Sequence, residues 1–328
     1  MAALDAPVYS ATATVKRGGA VTCRVDYALL FVDRLVMDHS PRAVRYCLSP
    51  LPFAAGSVAL GAAYMRMAGA PPRYILINLG ALAVGLLIAR LIRKARPSPQ
   101  LAGTLTAAVA LALLATVVRP SVDGASRWIP VAGISFQPSL MLLPVVIVLF
   151  AKNPHWLSAI GLLVAGVALA LQPDRAMAGA LTAALAVLRL YRRDALLTLT
   201  LAVASCGFAA TLVNTDRVPP APFVERVVQS AFAFDAFAGI AIVVAFALML
   251  IPAIVGVLTR KEDEALFAVF GATWLAVIAF AIIGNYPTPL VGYGASGIIG
   301  YCLSSGLLAS GDLERRSRVA QRDSSRHG

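Results

Sequence analysis

Ten stretches of nearly unbroken apolar sequence run through this chain, at roughly 51–65, 74–89, 101–118, 138–151, 156–171, 177–188, 195–213, 228–258, 265–283 and 297–310. A helix needs ~20 mostly apolar residues to cross a bilayer, where nothing but the chain itself can satisfy backbone hydrogen bonds. Ten such helices would use about 200 residues, which agrees with an apolar share of 59% and a charged share of only 13% in 328 residues. The pattern predicts an all-α polytopic membrane protein with about ten transmembrane helices. It excludes a disordered chain, a disulfide-stapled secreted module and a soluble nucleic-acid binder. Several segments fall short of ~20 residues, which predicts thin or tilted helices buried among neighbours. Segment 228–258 is too long for one simple span and contains Asp235 and Pro252, so an interfacial or partly buried helix followed by a kinked span is expected there.

The net charge of +12 is read through topology before any partner is inferred. With both termini in the cytoplasm, 21 of the 28 Lys and Arg fall on the inside and seven on the outside. Cytoplasmic connections carry the basic excess in membrane proteins, so this orientation is expected and its reverse is not. Residues 1–49 read as a polar cytoplasmic extension in which Asp5, Asp26, Asp33 and Asp38 interrupt any signal-peptide core, so insertion is by internal spans. Residues 50–310 form one membrane domain, and 311–328 a basic cytoplasmic tail whose charge is a topology signal rather than a nucleic-acid site. Cys23, Cys47, Cys206 and Cys302 lack redox or zinc spacing, and the last two, inside apolar runs, are expected to be buried thiols. His39, His155 and His327 match no metal motif.

Chemistry concentrates in the outside connections. Asp123, Asp174, Asp216, Glu225 and Asp235 all sit at outside span ends, near an arginine or a Gln-Pro turn. An arginine fork binds phosphate bidentately, and a carboxylate can take a proton from a sugar hydroxyl. The combination suits a phosphorylated, lipid-linked substrate at the outer leaflet. A G-x-G-x-x-G at Gly292, Gly294 and Gly297 follows a Pro-containing loop rather than a strand. It therefore reads as irregular re-entry into the bilayer and not as a dinucleotide site.

Four blocks on that side, in order, resemble the shape, elongation, division and sporulation (SEDS) family, the FtsW/RodA/SpoVE group. Asp123-Gly-Ala-Ser-Arg127-Trp128-Ile129 is similar to N-G-A-R-R-W-I, and Gln137-Pro138-Ser139 to Q-P-S-E. Gln172-Pro173-Asp174 is similar to Q-P-D-L-G-T, and Pro287 to Ser296 to P-L-P-F-V-S-Y-G-G-S. The resemblance implies a ten-span fold in the bacterial inner (cytoplasmic) membrane. It also implies polymerisation of lipid II, an undecaprenyl-pyrophosphate-linked disaccharide peptide, in cell shape, elongation or division, beside a class B penicillin-binding protein. Departures fall within the blocks. The family's charged pair after Q-P-S is leucine at both positions, Leu140 and Leu143, one helical turn apart, as when a buried ion pair gives way to apolar packing. Between spans seven and eight the family's L-P-E-x-H-T-D-F is represented only by Glu225, which aligns with its essential Asp when counted back from Gly239.

As a glycosyltransferase, the chain would use Glu225 as the base on the acceptor's 4-hydroxyl, with Asp216 the second candidate. Arg127, Arg217 and Arg226 would face the departing pyrophosphate, and Trp128, Gln137, Gln172, Asp174, Tyr293 and Ser296 would line the substrate cavity. If a divalent cation (Mg or Mn) takes part, Asp174 or Glu225 would hold it. Two other classes stand beside this reading. One is a non-catalytic relative that binds the lipid-linked precursor or scaffolds a transpeptidase. The other is a transporter, for which Asn78 and Asp235 are the main polar residues within spans.

Overall fold

A computed structural model describes residues 49–93, 97–117, 128–131, 134–213 and 220–308. The polar extension, the basic tail and the loop residues Arg127, Asp216 and Arg217 lie outside the described residues. Helices occupy all ten apolar segments. They are α1 (Pro50–Met67), α2 (Pro72–Ile92), α3 (Pro99–Val117), α4 (Pro138–Lys152), α5 (Trp156–Leu171), α6 (Arg175–Tyr191), α7 (Ala195–Val213), α8 (Val227–Phe234), α9 (Ala236–Thr259), α10 (Glu264–Ile283) and α11 (Ala295–Leu308). Five of them, α2, α3, α7, α9 and α10, are long and apolar enough to cross a membrane. Helices α4, α5 and α11 are apolar but shorter.

The expected break in segment 228–258 falls at Asp235. Its extended backbone ends α8, and its Oδ1 accepts the Phe237 and Ala238 amides at 2.8 and 3.1 Å to start α9. A side-chain oxygen in place of the missing preceding turn is what an N-cap supplies. Other starts use the same chemistry or a proline. Asp174 caps α6, His155 caps α5 through Nδ1, and α1, α2 and α4 open on prolines, whose missing N–H costs nothing there.

Helix α11 runs through the core. Ile298, Tyr301, Cys302, Ser304 and Ser305 are buried, and small residues let its neighbours come close. A Cβ on Gly300 would strike the Leu140 carbonyl of α4, one on Gly306 the Ala89 backbone of α2, and one on Gly85 the Cys302 side chain. Tyr301 donates its hydroxyl to the Met249 carbonyl of α9 at 2.8 Å, and Trp274 of α10 donates to Ser304 at 3.3 Å. Around this centre α1 packs on α9, α10 on α6 and α9, and α5 on α3 and α7. The outer surface is apolar: Leu76, Leu190, Val213 and Phe237 are all more than two-thirds exposed. Water would penalise such a surface, whereas acyl chains would not.

The connection after α3 contains a two-stranded ribbon that the sequence pattern did not announce. Strands β1 (Ile129–Val131) and β2 (Ile134–Phe136) pair antiparallel, with Ile129 opposite Phe136. This register sets Trp128 and Gln137, the flanking residues of two motif blocks, at the same end of the ribbon.

Candidate functional site

Gln137, Ser139 and Asp174 converge where α4 and α6 begin. Asp174 is fully buried, and its Oδ2 accepts from Gln137 Nε2 at 2.9 Å and from Ser139 Oγ at 2.7 Å. Its Oδ1 accepts the Met177 amide at 3.3 Å, at the positive end of the α6 dipole. Three donors and a helix terminus thus hold the Asp174 carboxylate. The Gln137 backbone amide donates to Ser296 Oγ at 2.8 Å, which fastens the first turn of α11 to the same cluster. Gln172 turns the other way, donating to the Leu113 carbonyl at 2.6 Å and to the Thr116 hydroxyl of α3. Leu140 and Leu143 are buried in the hydrophobic core, as expected of apolar packing in place of an ion pair.

Between α10 and α11 the chain forms a strap, residues 285–294. The Thr288 amide donates to the Val224 carbonyl at 2.8 Å, and the Tyr293 amide donates to the Phe223 carbonyl at 2.6 Å. A bridge pairs Glu225 with Pro287. The strap therefore runs from the Glu225 loop to the Asp174 cluster, and the two carboxylates are joined through one short segment of backbone. The Tyr293 ring stacks on Tyr74 of α2 at 3.8 Å and 8°, with the Arg73 guanidinium 5.5 Å from the Tyr74 ring. Burial raises the Tyr293 phenol above its ordinary pKa; Tyr74 adds to the shift and Arg73 opposes it.

Glu225 sits in a tight turn before α8. Phe223 and Arg226, on either side of it, adopt left-handed backbone at φ 63° and 55°. Such conformations cost on the order of 1–3 kcal/mol each in residues with a Cβ, and they persist only where surrounding contacts impose them. Here the strap holds the turn, through the two amides donated to Phe223 and Val224 and through Asn285 on Arg226. Glu225 is buried, with Oε2 accepting the Ala221 amide at 3.2 Å. Arg226 is exposed, and its Nε donates to Asn285 Oδ1 at 2.7 Å. Glu225 and Arg226 line a cleft of about 630 Å³, together with Tyr64, Phe223, Gln229 and Phe234. Its lining is mostly apolar, with Glu225, Arg226, Gln229 and Ser230 as the polar residues.

No protein-family model and no curated protein matches the sequence. Solved structures do match. The crystal structure of the rod shape determining protein RodA of Thermus thermophilus aligns at a TM-score of 0.55 and 20% identity, over 80% of this chain and 94% of RodA. An alanine mutant of the same protein aligns at 0.55 and 20%, over 80% and 95%. A chain from a peptidoglycan synthase complex, solved for its structural coordination of polymerisation and crosslinking, aligns at 0.56 and 23%, over 80% and 96%. The fold is RodA-like.

Within this RodA-like fold the motif residues divide into two groups. Gln137, Asp174 and Ser296 form one buried network with Ser139, while Glu225 and Arg226 share the cleft. Trp128, Tyr293 and Ser296 surround a small void with Thr288, too tight for more than about one water. Gln172 is tied to α3 and does not join either group. Among the described residues no three His, Cys, Asp or Glu side chains gather to hold a metal ion. Both Asp174 oxygens accept hydrogen bonds from protein groups.

The two in-span polar residues each have hydrogen-bond partners within the fold. Asp235 is the N-cap of α9, and Asn78 bonds the strap: its Nδ2 donates to the Gly292 carbonyl at 2.8 Å, and its Oδ1 accepts the Gly294 amide at 3.1 Å. Cys302 is buried as expected, but Cys206 is exposed on the outer face of α7. Ser139, Tyr74 and Asn78 were not singled out as site residues by the motifs. A lone amide in an apolar segment was the available signal for Asn78.

Proposed function

We propose that this chain is a divergent SEDS protein of the bacterial inner membrane that polymerises lipid II at the outer leaflet, with ten spans and both termini in the cytoplasm. The single observation that carries this reading is the setting of Glu225: a buried carboxylate on the wall of a mostly apolar cleft, beside an arginine, and strapped by backbone hydrogen bonds to the segment that resembles the family's P-L-P-F-V-S-Y-G-G-S block. The RodA-like fold supports the family assignment.

In this reading the 4-hydroxyl of the acceptor sugar attacks the anomeric carbon of the donor. Glu225 takes the hydroxyl proton as the new glycosidic bond forms, and the bond to polyprenyl pyrophosphate breaks. Arg226, with Arg127 and Arg217 from the neighbouring loops, stabilises the charge that develops on the leaving group. Asp216 is the alternative base. Asp174 contributes by holding Gln137, whose backbone amide fastens Ser296, and Trp128, Tyr293 and Ser296 pack around the small void beside the strap. A class B transpeptidase is the partner expected to crosslink the product. One of the similar structures comes from a complex of polymerisation and crosslinking. The test is lipid II polymerisation by the purified chain with and without such a transpeptidase; glycan strands in either arm support the reading, and none in both refutes it.

A second reading, a precursor-binding or scaffolding relative without turnover, is favoured by Leu140 and Leu143, which put hydrocarbon where the family resemblance implies a charged pair. Measurable lipid II binding without product, beside an active family control, would select it. The transporter reading loses its two polar residues, because Asn78 bonds the strap and Asp235 caps α9.

A further inference from the structure

Asn78 is fully buried in α2, in a segment that is otherwise apolar. A primary amide in such surroundings is costly unless its donor and acceptor are both used. They are, and on one partner: the carbonyl of Gly292 and the amide of Gly294. A side chain that offers a donor and an acceptor to backbone groups two residues apart acts as a neighbouring strand would, and it fixes both position and orientation of what it holds.

The gripped backbone is one of the places where the strap touches the Glu225 loop, beside the contacts made by Pro287 and Thr288. A Cβ on Gly292 would lie 3.0 Å from the Val224 carbonyl oxygen and 3.1 Å from that of Phe223, so the two segments are in backbone contact. Tyr293, between the two bonded glycines, donates to the Phe223 carbonyl. Its ring stacks on Tyr74, which lies one helical turn before Asn78 on the same face of α2. Phe223 is one of the two left-handed residues that aim Glu225. A strained turn of this kind relaxes when the contacts that impose it are loosened.

We propose that Asn78 is a positioning residue for the Glu225 carboxylate, acting through Gly292–Gly294 and the Phe223–Val224 backbone, with Tyr74 as a second grip on the same strap. The inference rests on the reading of Glu225 as the base; its kinetic consequence depends on that reading, and its mechanical consequence does not.

The experiment uses the full chain in lipid nanodiscs, as wild type, Asn78→Ala and Tyr74→Leu. Lipid II polymerisation is measured together with amide hydrogen exchange over 220–229 and 286–295, with α4 to α6 as the folding control. A displacement of ~1 Å at a reacting group costs about 100-fold in rate. Asn78→Ala should therefore lower kcat by about 100-fold with KM within about twofold, and speed exchange in both segments at least about tenfold. Tyr74→Leu should do the same more weakly, by about five- to tenfold, because it leaves the two amide bonds intact. Normal kcat in Asn78→Ala, or unchanged exchange at 220–229, overturns the proposal. If Asn78→Ala unfolds, exchange in α4 to α6 reveals it, and Tyr74→Leu decides alone: unchanged turnover and exchange refute the coupling. If wild type forms no polymer, the glycosyltransferase reading fails, and the exchange data by themselves support or overturn the grip of Asn78 on the Glu225 loop.

Discussion

The Tyr293 amide donates to the Phe223 carbonyl at 2.6 Å, and this bond joins the last motif block of the sequence to the loop that carries Glu225. The partners lie 70 positions apart in the sequence, so the contact belongs to the tertiary fold. Both segments are irregular backbone within a helical protein. Irregular backbone survives there only when its polar groups are paired inside the protein, which the strap accomplishes for both at once.

Gly61 tests the seat of the strap. A Cβ at this position in α1 would collide with the backbone of Val291, so Gly61→Ala must push the strap or the helix aside. Overpacking of this kind costs about 1–3 kcal/mol. The thermal midpoint in detergent should fall for Gly61→Ala and hold or rise for Gly80→Ala, where nothing lies within 4 Å. Equal midpoints would show that the strap is not seated on α1.

Asp174 tests the buried network. Asp174→Ala strands the Gln137 and Ser139 donors and removes the α6 cap, a loss of about 2–4 kcal/mol. Asp174→Asn keeps an acceptor oxygen and should cost less than half as much. Thermal unfolding of the two variants should rank them in that order, and equal losses would contradict the hydrogen-bond account.

The thiols test the packing of α7 and α11. With Cys23 and Cys47 replaced by serine, a membrane-permeant maleimide should modify the exposed Cys206 far faster than the buried Cys302. Comparable labelling would place α11 at the periphery instead of the core.

Much of the helical architecture is legible in the sequence because apolar length and interrupting polar residues are local signals. The division of segment 228–258 at Asp235 follows from one capping carboxylate, while Pro252 is carried inside α9. The blocks around Gln137, Asp174 and Ser296 could be recognised singly, and the structure brings them into one network through three side-chain bonds. Asn78 could not be assigned in this way. Its partner Gly294 is 216 positions away, and a lone amide in a span fits a transport pathway as readily as a backbone clamp. The ribbon of β1 and β2 was also hidden, since two three-residue strands carry no periodicity long enough to read. The exposure of Cys206 escaped for a related reason: in a bilayer, an apolar helix can present small residues to lipid as easily as to a neighbour.

The central claim is that Glu225 is the base of a lipid II polymerase, and Glu225→Gln tests it most directly. The glutamine retains an oxygen to accept the Ala221 amide and leaves the turn intact, but it cannot take a proton. Assayed with lipid II beside the wild-type chain, the account predicts polymer from wild type and a loss of at least about 100-fold in the variant, with the fold unchanged. Full activity in Glu225→Gln would contradict it.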